Sequence, residues 1–181
     1  MKNSKQAAKR MFLHNRFVTK TLSRFWRWLV QKAPEIKELS TNDARLAYLV
    51  TRIEREKIKK SVVVAPLFSL QLIHSITRPT ALEKVAERAL VVAEHKEALL
   101  GQGVITREFL GQYVPSLTWI KVIRDGDSCI AFEGNGRILT FQQVFQLSDN
   151  IKVEVELFEF DPVNQENLLA QVTKLRQSYF S

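Results

Sequence analysis

One stretch constrains the fold more than any other. It runs from Trp119 to Gln143 and reads WIKVIRDGDSCIAFEGNGRILTFQQ. The pattern predicts a strand over 117–123, a turn at Asp125-Gly126 and a second strand over 128–132. The loop Glu133-Gly134-Asn135-Gly136-Arg137 follows, then a helix over 137–147. Asp-Gly between two apolar runs is a strong hairpin signal, so the two strands should pair antiparallel. The second strand then enters a helix N-terminus through two glycines. Free backbone N–H groups and the helix dipole converge at such a place, and it suits a phosphate or another anion.

Charge adds a second constraint. The chain has 181 residues and a net charge of +8. Residues 1–34 hold nine of its 27 basic side chains: Lys2, Lys5, Lys9, Arg10, Arg16, Lys20, Arg24, Arg27 and Lys32. They hold no acidic residue, so 35–181 is near neutral, with 18 basic against 19 acidic side chains. An anionic partner should meet the arm first. The single cysteine, Cys129, excludes a disulfide framework and fits a reducing, cytoplasmic setting. No stretch nears the roughly 20 apolar residues of a membrane-spanning helix.

The remaining elements follow from periodicity and caps. Residues 4–32 read as an amphipathic helix with Met11, Val18, Leu22, Phe25 and Leu29 on one stripe. Lys5, Lys9, Arg16, Lys20 and Arg27 line the opposite stripe, and Pro34 ends the element. A helix is predicted over 42–59, after Ser40, Thr41 and Asn42. The body is expected from Ser61, giving a 1–60 extension and a 61–181 domain. Val62-Val63-Val64 reads as a strand broken by Pro66, with Phe68 to Ile73 beyond it. Thr80 is the cap expected for a helix over 81–100, ended by Gly101 and Gly103. A short helix is expected over 106–112. Ile151, Val153, Val155 and Leu157 alternate with charged residues as a half-buried strand, its Glu154 and Glu156 facing solvent. Asp161 and Pro162 open a last helix that ends near Phe180.

From about residue 61 to 157 the chain resembles the ParB/sulfiredoxin family. Three pieces carry the likeness. They are a strand Leu67 to Leu72 followed by Arg78-Pro79, a helix with Lys84-Val85, and the segment holding Trp119-Ile120-Lys121, Gly126-Asp127, Phe132 to Arg137 and Gln142-Gln143. The resemblance implies an α/β domain behind a helical, basic N-terminal extension. Sulfiredoxins carry FGGCHR at the loop, with a nucleophilic cysteine and a His-Arg pair on ATP. Phe132, Gly134 and Arg137 match, but Asn135 stands in the cysteine's place and Gly136 in the histidine's. An amide cannot act as a thiolate nucleophile, so sulfiredoxin catalysis is not expected. Lys84 matches a nucleotide-contacting lysine, but Glu87 and Val91 replace the hydroxyl residues that should follow it. Glu133 and Arg137 are similar to the ParB branch, whose members bind DNA, nucleotides or both. A few relatives are small-molecule kinases with an acidic base.

The expected function is therefore a non-catalytic module. Its arm would bind nucleic acid through Lys5, Lys9, Arg16, Lys20 and Arg27. Lys84, Gly134, Asn135, Gly136 and Arg137 would hold a phosphate or a nucleotide, ATP or CTP with Mg²⁺. The alternative is a phosphotransferase with Glu133 as base, or a partner-binding protein with a vestigial loop. Plainer readings stay open for each feature. The loop could be only a strand-to-helix turn. The arm could pack on the body, lie on an anionic membrane, or be an organelle-targeting segment. Cys129 reads as a buried structural thiol. His14, His74 and His95 have no partners at metal-ligand spacing, so no metal is expected.

Overall fold

Alternating apolar and charged residues after Ile151 build the strand around which the sheet is organised. A computed structural model describes residues 41–116 and 118–180. The central strand is β6, Lys152–Glu159. It pairs antiparallel with β1 (Lys59–Pro66) on one side and parallel with β3 (Val104–Ile105) and β4 (Lys121–Asp125) on the other. β4 continues through the Asp125-Gly126 turn into β5 (Ser128–Glu133), and β5 pairs parallel with β2 (Leu70–Leu72). The result is a mixed six-stranded sheet in the order β1-β6-β4-β5-β2, with β3 beside β4 along β6. Gly126 adopts φ +57°, which the tight turn requires.

Six helices accompany the sheet among the described residues. They are α1 (Thr41–Glu56), α2 (Pro79–Glu94), α3 (Lys96–Gln102), α4 (Arg107–Tyr113), α5 (Asn135–Val144) and α6 (Pro162–Phe180). Strand alternation sends neighbouring side chains to opposite faces. Val122, Cys129, Ala131, Val153, Val155 and Leu157 meet Val92, Leu99, Leu110, Ile138 and Phe141 from α2 to α5. Ile123, Ile130, Phe132 and Phe158 meet Leu49 and Ile53 of α1 and Leu168, Val172 and Leu175 of α6. The sheet is thus covered on both faces, and each large side chain so buried stabilises the fold by roughly 1.5–3 kcal/mol. The compact unit holding this sheet runs Ala44–Ser181. The helix expected over 4–32, with Lys5, Lys9, Arg16, Lys20 and Arg27, lies outside the described residues. No described helix is long and apolar enough to cross a membrane.

Several expectations need correction. The helix over 42–59 ends at Glu56, because Lys59 and Lys60 extend β1 and pair with Glu159 and Glu156 across the strands. The cap of α2 is Arg78 rather than Thr80, with Pro79 at the first helical position. The helix over 81–100 is two helices, interrupted at His95 and closed by Gly103 at φ +70°. The strand over 117–123 starts only at Lys121. Glu156 does not face solvent. It is 8% exposed, with Lys60 Nζ at 3.2 Å and Arg107 Nη2 at 3.6 Å. Its charge is matched where periodicity alone placed it in water.

Candidate functional site

β5 lies between β4 and β2 and delivers Glu133 to the start of α5. The predicted loop is shorter than expected, because Asn135, Gly136 and Arg137 already form the first turn of the helix. Gly134 is the cap. Its φ of +86° is a left-handed conformation, and a Cβ there would lie 2.8 Å from Ile120 Cγ1 and 3.0 Å from Ile120 Cα. Only glycine satisfies both conditions. The N–H groups of Arg137 and Ile138 return to the Gly134 carbonyl at 2.9 and 3.1 Å. The N–H groups of Asn135 and Gly136 have no acceptor inside the helix.

Asn135 points inward and is buried. Its Oδ1 accepts from the Ile73 N–H at 3.3 Å, which pins the chain just after β2 to the helix start. Arg137 also turns inward and is 3% exposed. Its Nη2 donates to the Thr118 carbonyl at 2.7 Å, the one hydrogen bond of its guanidinium among the described residues. Burial first, and then the nearby Arg88, depress the Arg137 pKa to about 10, against the opposing charge of Glu133. The group still carries its proton at neutral pH.

The second cation is Arg88, which sequence reasoning passed over. Arg88 Nη1 lies 3.7 Å from where a Gly136 Cβ would be, beside Val85 at 3.8 Å. It makes no ion pair among the described residues. Lys84, one turn earlier on α2, is exposed and likewise unpaired among them. The signal that could have found Arg88 is its spacing: it follows the buried Val85 by three residues and so shares its face of α2.

Glu133 is engaged elsewhere. Its Oε2 lies 3.0 Å from Lys121 Nζ, which also binds Glu54. Burial pulls the Lys121 pKa down, but the bonds and charges of Glu54 and Glu133 outweigh it and hold the ammonium above its ordinary value. Glu54 feels desolvation too, yet Lys121 and Lys57 keep its carboxyl below the usual range. Beside Arg137 lies a cavity of about 140 Å³ lined by Leu110, Gly111, Ser116, Thr118 and Trp119. That is smaller than the roughly 300–1,000 Å³ of sites that enclose a small molecule. Trp119 is stacked on its other neighbour, the Arg107 guanidinium, at 4.3 Å.

Cys129 is buried in β5, and burial pushes its thiol pKa up despite the nearby Arg124. Among the described residues no three His, Cys, Asp or Glu side chains gather at metal-binding distance. Comparison with known protein families, with characterised proteins and with solved structures finds no match to the chain.

Proposed function

We propose that the chain is a non-catalytic binding module of the ParB/sulfiredoxin type that holds a phosphate group at the start of α5. The observation that carries this reading is an excess of positive charge there. Arg137 and Arg88 converge on a helix N-terminus, and neither is hydrogen-bonded to a carboxylate among the described residues. Two guanidinium groups repel each other, and the helix end adds about half a positive charge. An anion on the N–H groups of Asn135 and Gly136, beside Arg88, relieves both costs.

The same geometry argues against turnover. Glu133, the base of the rival phosphotransferase, is tied to Lys121, and Asn135 is used to anchor Ile73. Of the residues proposed for phosphate, Gly134 and Gly136 let the backbone approach, Arg137 supplies charge from below, and Arg88 takes the part first given to Lys84. The 140 Å³ cavity leaves the base and sugar of an ATP or CTP outside it. Nucleic-acid binding by Lys5, Lys9, Arg16, Lys20 and Arg27 rests on the charge of the arm alone. A thermal-shift panel of ATP, CTP, GTP and ADP with Mg²⁺ tests the reading. A ligand bound to the native state raises the melting temperature as its concentration passes Kd. No shift with any of the four would overturn it.

A further inference from the structure

The outer edge of the sheet carries a second surface. β1 is an eight-residue edge strand, and the side away from β6 has no strand partner among the described residues. Natural edges of this length are usually blunted by a bulge, an inward charge or a covering element. β1 is paired with β6 in unbroken register from Lys59 to Pro66, and its middle is Val62-Val63-Val64. Val62 and Val64 are 51% and 49% exposed, and Ile58 just before the strand is 69% exposed. The charged residues and the proline sit only at the two ends.

The hydrogen-bond phase shows which groups are free. The Leu67 N–H donates to the Ile151 carbonyl at 3.0 Å, in the same register as the β1–β6 ladder. Odd-numbered residues therefore exchange bonds with β6, and Lys60, Val62 and Val64 turn their N–H and C=O groups outward. Pro66 falls in the outward set, where its missing N–H costs the ladder nothing.

We infer that β1 pairs antiparallel with β1 of a second copy of this chain, with Val63 on the two-fold axis. This centring sets valine against valine rather than valine against lysine. Val62 then faces Val64 of the second copy and exchanges both backbone bonds with it, and Val64 does the same with the second Val62. The Lys60 N–H meets the Pro66 carbonyl of the other copy, so no lysine faces a lysine. The four exposed valines become one apolar patch across the junction. The two-fold also brings the Ile58 end of one copy beside the end of the other that carries Phe68, which is 37% exposed. The two sheets become one continuous sheet, and the exposed edge disappears. The lysines and the proline limit the pairing to the strand's middle and keep it from extending.

The test has two parts. Sedimentation of the full chain at about 100 µM should give about twice 20.9 kDa, the mass of one chain. Val64→Pro removes an outward N–H without touching the β1–β6 ladder, so it should return the mass to that of one chain. The second part does not depend on that variant folding. With Cys129→Ala as background, Val63→Cys should form an intermolecular disulfide on mild oxidation. A non-hydrogen-bonded antiparallel pair has Cα atoms about 4.5 Å apart, within disulfide reach. Val62→Cys should cross-link much less, since its own copy lies diagonally away. A single-chain mass for the wild type, or equal cross-linking at 62 and 63, would overturn the inference.

Discussion

Gly134→Ala tests the physical account of the loop without any ligand. The added methyl would lie 2.8 Å from Ile120 Cγ1 and 3.0 Å from Ile120 Cα. Ile120 is fully buried, so it has little room to give. The φ of +86° adds left-handed strain, about 1–2 kcal/mol for a residue with a Cβ. Overpacking of a filled core adds about 1–3 kcal/mol. The two together come to about 2–5 kcal/mol, a large part of a typical 5–15 kcal/mol stability. At roughly 2–4 °C per kcal/mol for a domain of this size, the melting temperature should fall by roughly 4–20 °C. Gly111→Ala is the contrast, because that glycine lies in α4 with nothing within 4 Å of its Cβ position and no positive φ. It should be neutral or stabilise by up to about 1 kcal/mol, the helix propensity difference. Denaturant unfolding of both variants checks the pair. A Gly134→Ala cost below about 1 kcal/mol would refute the claim that the close approach of Ile120 demands glycine.

Other outcomes follow from named groups. Cys129→Ser should leave ligand binding unchanged while lowering the melting temperature, because a hydroxyl replaces a buried thiol; a binding loss without a stability loss would contradict this. Glu54 has a folded pKa below its unfolded one, so its stabilisation is present above about pH 4.5 and is lost as pH falls through the folded value. Lys121 is raised, so its share is present below about pH 10.5 and is lost as pH climbs through the folded value. Glu54→Gln should therefore flatten both the acid and the alkaline limbs of the stability profile, and unchanged limbs would show that the pair contributes nothing. Changing Lys9, Arg16, Lys20 and Arg27 to Gln should reduce the salt slope of DNA binding by about 0.9 per lost contact. An unchanged slope would remove the arm from the interface.

Much of the fold was legible because it depends on short-range pattern. Asp125-Gly126 specified the hairpin, and Ile151 to Leu157 specified the face that Val153, Val155 and Leu157 bury. Asp161 and Pro162 marked the start of α6. What was not legible depends on partners distant in sequence. Lys59 and Lys60 look unlike strand residues until they pair with Glu159, directly opposite, and Glu156, diagonally placed on β6. Glu156 looks solvent-facing until Arg107 and Lys60 reach it. The glycines at the loop were visible, but the inward turn of Arg137 depends on the Thr118 carbonyl, and the role of Arg88 depends on how α2 packs against α5.

Arg88→Gln separates a phosphate site from a structural turn most directly. Equilibrium titration with ATP and CTP should be paired with the melting temperature of the ligand-free protein. Charged hydrogen bonds of this kind are worth roughly 1.5–3 kcal/mol, so the tighter nucleotide should bind about ten- to a hundredfold more weakly. Because Arg88 pushes against the charged form of Arg137, the ligand-free variant should melt no lower than the wild type, and slightly higher at low salt. Equal nucleotide affinity in the two proteins, or a variant that melts lower, would contradict the proposal that the two guanidinium groups are poised for an anion.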